Sequence, residues 1–115
     1  MDSILTSIKK LLGISEEQDD FDVDVIVHIN SVFANLCHIG VGPSNGFSIK
    51  DASSVWTDFI SDEHWFFAFI ESYVYMKVKL VFDPPLNSAV LSSYKESIKE
   101  LEWRLYAAAD TGDST

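Results

Sequence analysis

The tripeptide Asp83-Pro84-Pro85 constrains this chain more than any other feature. Pro84 has no backbone N–H to donate, and Pro85 pushes the residue before it out of helical backbone. No helix runs through such a pair, yet helix-period apolar spacing reaches it and resumes beyond it. Before it, Trp65, Phe66, Phe69, Ile70, Tyr73, Met76 and Leu80 form one stripe. Beyond it, Val90 or Leu91, then Tyr94, Ile98, Leu101 and Leu105, recur at spacings of three and four. The chain is therefore expected to fold back as two antiparallel helices. Asp83, Pro84 and Pro85 act as the structural turn that sets the angle between them.

The first of these helices is expected over residues 62–82, with Ser61 as cap and Asp62 and Glu63 in its first turn. The stretch Tyr73 to Phe82 also alternates in part and, alone, reads as a strand. Continuity with the preceding period favours helix. Phe67, Val74, Val78 and Val81 add apolar surface outside the stripe, so this helix is central or faces a second subunit. The last helix is expected from Ser88 to about Ala109, capped by Asn87 or Ser88, with Glu100 placed to pair with Arg104.

Upstream, Val25, Ile26, Ile29, Val32, Phe33, Leu36 and Cys37 mark a helix over about 22–39, stopped by Gly40 and the turn cluster Val41 to Gly46. Ile4, Leu5, Ile8, Leu11 and Leu12 mark a shorter one, with Ser3 as N-cap and Gly13 past its end. Asp20 or Asp22 is expected to cap the helix that follows. Between 48 and 60, Asp51 is expected to cap a short helix that turns Val55, Trp56, Phe59 and Ile60 inward. The expected architecture is all-α: a small bundle of four to five helices with antiparallel neighbours. It occupies residues 1–109 as one domain, with 110–115 as a free polar tail.

Composition narrows the function. The 115 residues carry 8 basic and 18 acidic side chains, so the net charge is 8 − 18 = −10. A protein that grips a phosphate backbone needs clustered Lys and Arg, which this chain lacks. Residues 15–24, SEEQDDFDVD, hold six of the acids and read as a solvated segment. No apolar run approaches the roughly 18 residues a bilayer span requires, and the N-terminus lacks the apolar core of a signal peptide. A lone cysteine, Cys37, excludes an internal disulfide and a cysteine zinc site, and implies a reduced setting. Cys37 falls on the core face of its helix and reads as a buried, inert thiol. His28, His38 and His64 do not share a face that would hold a metal. Residues 40–46 contain glycines but lack the Lys-Ser/Thr of a phosphate loop. The carboxylates lie on exposed faces, with nothing marking a pocket that would split their pKa values. No enzymatic activity, cofactor or metal is expected.

What stands out is apolar excess: 47% apolar residues, with three Trp, eight Phe and four Tyr. Trp103 and Tyr106 fall off the stripe of the last helix, and such side chains anchor interfaces. An assembly subunit is the natural reading.

The chain resembles the head–tail connector (adaptor, or head-completion) proteins of long-tailed bacteriophages. The resemblance rests on SIKKLLGI, VIVHINSVFANLCHIGVG, SSVWTDFI with Trp56, YVYMKVKLVFDPP and ELEWRL. It spans about Ser3 to Ala109. It implies a structural protein of the virion neck, made in the host bacterial cytoplasm. Its partners would be further copies of itself in a ring of about twelve, the portal protein above, and the next neck or tail-completion protein. DNA would pass through without specific binding. It implies portal contact by the C-terminal region, for which Trp103, Arg104, Tyr106 and Asp110 are the candidates. Phe67, Lys77 and Lys79 are candidates for the subunit interface, the lysines pairing with a neighbour's acids. Glu16, Glu17, Asp19 and Asp20 are candidates to line the lumen and repel phosphates. The competing reading is a small acidic helical regulator, or DNA-mimic inhibitor, acting on a protein partner.

Overall fold

The computed structural model describes residues 3–110, with side chains through Ala107. It is all-helical: α1 (Ile4–Leu11), α2 (Asp22–His38), α3 (Trp56–Phe59), α4 (Phe67–Phe82) and α5 (Ser88–Asp110). Among the described residues no strand forms, and one isolated bridge joins Ser3 to Val55.

Each helix end has a local cause. The Ser3 side chain accepts the Thr6 N–H, as its capping role predicts. Two helices end in the same double bond pattern. After α1, Gly13 N donates to Lys10 O and Ile14 N to Lys9 O; after α2, Gly40 N donates to Cys37 O and Val41 N to Leu36 O. Both patterns satisfy carbonyls that a helix end leaves unpaired, with glycine in the left-handed position. Helix α4 stops at Phe82, directly before Asp83-Pro84-Pro85. Asn87 Oδ1 then accepts from Ala89 N at 2.8 Å and Val90 N at 3.2 Å, so Asn87 caps α5.

Helices α2 and α4 form the central antiparallel pair. Phe21, just before α2, meets Phe82 at the end of α4 edge-on at 5.7 Å. The core between them takes Val25, Ile29, Val32, Phe33 and Leu36 from α2 and Ile70, Tyr73, Val74 and Val78 from α4. Each such side chain contributes about 1.5–3 kcal/mol on burial. Helix α1 lies against this pair through Ile4, Leu5 and Ile8. Phe33 also anchors an aromatic cluster with Phe47, Trp56 and Phe59, at ring separations of 4.9, 6.2 and 4.5 Å. Asn30 holds the connecting segment to α2: Nδ2 donates to Ile49 O at 3.0 Å, and Ile49 N donates to Oδ1 at 2.7 Å. Helix α5 packs chiefly on α4, burying Ile98 and Leu105 and leaving most of its circumference in solvent.

Several expectations need correction. Helix α4 begins at Phe67 rather than 62, because Asp62 to Phe66 are spent on turns, with His64 N bonded to Ser61 O and Phe67 N to His64 O. Trp65 consequently leaves the inner stripe and is exposed, while Val74 and Val78 are fully buried. Neither Asp20 nor Asp22 caps α2; the N-cap is Phe21, with no side-chain bond. Asp51 accepts from Ser53 in a local turn, and Asp58 instead closes the start of α3 by accepting from Val55 N at 2.9 Å. Leu11 and Val90 are exposed, and Leu91 takes the inward place on α5. Cys37 is only partly buried, though burial still pushes its thiol pKa up, which keeps it protonated and unreactive.

Candidate functional site

The candidates of the last helix come together on its exposed surface. Trp103 and Tyr106 are 72% and 57% exposed, very high values for such rings. Arg104 is also exposed and holds Glu100 at 2.8 Å, the pair its spacing predicts. Asp110 ends α5; its side chain lies outside the described residues, as do residues 111–115 of the tail. Beside this surface runs a cleft of about 230 Å³ lined by Asn35, Leu36, His38, Ile39, Tyr73, Glu102 and Tyr106. The sequence reading missed it, because it forms where the C-terminal end of α2 meets α5 across α4. Tyr73 donates its hydroxyl to Glu102 at 2.8 Å across this cleft. Burial, reinforced by Glu102, drives the Tyr73 pKa far above its usual range, so the hydroxyl stays a donor.

The residues marked for subunit contacts are less free. Phe67 is partly buried against the core. Lys77 lies 3.5 Å from Glu102, and Lys79 lies 3.4 Å from Asp83, so each already has an acid on its own chain. Pro84 is exposed and Pro85 partly buried in the α4–α5 turn.

The acidic segment has an organiser that the sequence reading passed over. Lys9 is 3% exposed. Its Nζ donates to Glu16 O at 3.2 Å and Gln18 O at 2.7 Å, and sits 2.7 Å from Asp22 Oδ1. The signal was present, since Lys9 falls four residues after buried Leu5, on the inner face of α1. Glu16, Glu17, Asp19 and Asp20 all project into solvent around this buried ammonium. The Ser15 hydroxyl donates to Glu17 and lowers its carboxyl pKa.

Among the described residues, no group of three His, Cys, Asp or Glu is placed to hold a metal ion, and no helix is long and apolar enough to cross a membrane. The histidines lie apart: His28 packs near Phe82, His38 lines the cleft, and His64 meets Phe66 at a tilt with ring centres 3.8 Å apart.

Exposed aromatics such as Trp103 and Tyr106 on an all-helical chain are the kind of surface that marks protein contacts. The particular family follows from comparison: residues 4–112 match the family described as phage connector protein, and the chain belongs to it. The family is structural and gives this chain a role as a virion component of the phage neck. No curated protein matches the chain, and no solved structure matches it.

Proposed function

We propose that this chain forms a ring beneath the portal, extends the DNA channel, and presents the surface on which the next neck or tail-completion protein docks. The family match over residues 4–112 carries the reading. The exposed Trp103 and Tyr106 near the end of α5 supply anchors for the portal, with Arg104 beside them. A ring needs two different patches on each subunit, and contacts that close by rotation. About twelve copies at −10 each give a ring of about −120, suited to passing DNA without adhesion. A regulator that mimics DNA needs acids spaced along one face; here four of the exposed acids, Glu16, Glu17, Asp19 and Asp20, are bunched in one short segment, and the others are scattered over several elements.

The test is to sediment the chain with purified portal. The chain should travel with portal at a fixed ratio. A chain that stays at monomer size beside portal, and instead captures a DNA-binding enzyme, would overturn the reading in favour of the regulator.

A further inference from the structure

One flank of α5 carries an unpartnered stripe. Ser88, Ser92, Lys95, Lys99, Trp103 and Tyr106 follow at spacings of four, three, four, four and three, which places them on a single helical face. All six are exposed. The charge inventory makes this face unusual. Of the eight basic residues, Lys9, Lys77, Lys79 and Arg104 are ion-paired within the chain. Lys10 lines a shallow cleft with Glu16, and Lys50 lies beside Asp51. Lys10, Lys50, Lys95 and Lys99 are exposed and without an ion pair among the described residues, and of these Lys95 and Lys99 lie one turn apart on one helical face.

The complementary feature lies on another element. Asp19 and Asp20 are exposed in the segment between α1 and α2, flanked by Glu16 and Glu17. Lys9 holds the backbone of this segment from below at Glu16 and Gln18. An anionic surface fixed in this way loses little freedom when it meets a partner.

We propose that Lys95 and Lys99 on α5 receive the acidic segment around Asp19 and Asp20 of a second copy of this chain. The two surfaces are complementary in charge. Subunits of net charge −10 repel one another, so a stable contact must bring each copy's rare free cations against the neighbour's acids. The two patches sit on different elements, so each copy can give one patch to each of two neighbours, the head-to-tail arrangement that closes into a ring. Trp103 and Tyr106 continue the same flank toward the end assigned to portal. The inference rests on the ring reading above, and it gives Asp19 and Asp20 a protein partner in place of the lumen.

The test is a charge swap in the full chain. Native mass spectrometry, with and without portal, measures the concentration at which rings form. Lys95→Glu/Lys99→Glu should raise that concentration by at least about tenfold, and Asp19→Lys/Asp20→Lys should do the same. A chain carrying all four changes should recover, as should an equimolar mixture of the two reversed chains. Circular dichroism checks that each variant keeps its helices; Lys95→Gln/Lys99→Gln gives a smaller shift in the same direction should a reversal unfold the chain. Reversed chains that assemble like wild type would overturn the inference and leave the ring reading standing, with altered DNA retention then returning the acids to the lumen. A four-fold variant that fails to recover while folded would overturn it too. Wild type that forms no ring under either condition would overturn both.

Discussion

Lys9 Nζ lies 2.7 Å from Asp22 Oδ1, and this contact joins the buried face of α1 to the first turn of α2 across the most acidic stretch of the chain. The ammonium is almost fully withdrawn from water, which is costly unless its charge and all three donors are met. Two carbonyls accept hydrogen bonds from it, and the Asp22 carboxylate meets its charge. A solvated linker is thereby turned into a fixed loop.

Replacing this lysine should therefore destabilise far beyond an ordinary surface change. Lys9→Met keeps most of the volume but strands Asp22 and two carbonyls, at a cost of about 2–4 kcal/mol. Lys10→Met, one residue on and exposed, should stay within about 0.5 kcal/mol. Urea titration of the two variants measures the difference; equal midpoints would show that the clamp contributes nothing.

The connection from α2 to α3 depends on close backbone approach. Gly42 has φ +92°, and a Cβ there would run into the Phe59 ring. Gly46 has φ +95° but open space around it. Gly42→Ala should cost about 2–4 kcal/mol from left-handed strain plus overpacking, and Gly46→Ala about 1–2 kcal/mol from strain alone. Thermal melts of the pair check the ranking.

Asn30 should behave as a structural pin. Asn30→Ala removes both bonds to Ile49 and should lower stability by about 2 kcal/mol, while Asn30→Asp keeps the acceptor and loses the donor. Hydrogen exchange at the Ile49 amide reads this directly: it should quicken strongly in the alanine variant and less in the aspartate one.

Alkaline pH should loosen the α4–α5 contact. Burial, and then the hydroxyl contact with Tyr94 at 3.2 Å, push the Tyr75 pKa from 10.0 up to about 12. A phenol whose folded pKa is raised gives stability that is full below its unfolded pKa and lost as pH climbs through the folded one. Tyr73 is shifted in the same direction. Melting temperature should fall between pH about 10 and about 12, and the fall should be shallower in Tyr73→Phe/Tyr75→Phe. The same slope in that variant would assign the fall to other groups.

The helical architecture was legible in the sequence because its signals are local. Ser3, Gly13, Gly40, Asn87 and Asp83-Pro84-Pro85 each act on neighbouring backbone, and each marks a boundary where expected. The start of α4 was not legible. Ser61-Asp62-Glu63 has the composition of a helix cap, but the chain spends Asp62 to Phe66 on turns that bury Phe66 in the core, a tertiary outcome. Lys9 was passed over, although its spacing, four residues after Leu5, placed it inward. Of the interface candidates, Trp103 and Tyr106 could be picked out because they lie off the stripe. The cleft beside Tyr106 could not, since it needs α2, α4 and α5 in place.

The central claim is that this chain builds a closed ring on the portal. Electron micrographs of purified portal mixed with an excess of the chain test it most directly. The account predicts class averages with an added ring, of about twelve subunits, coaxial with the portal and lost in Trp103→Ala/Tyr106→Ala. Portal particles identical with and without the chain, and the chain recovered as a monomer, would contradict it.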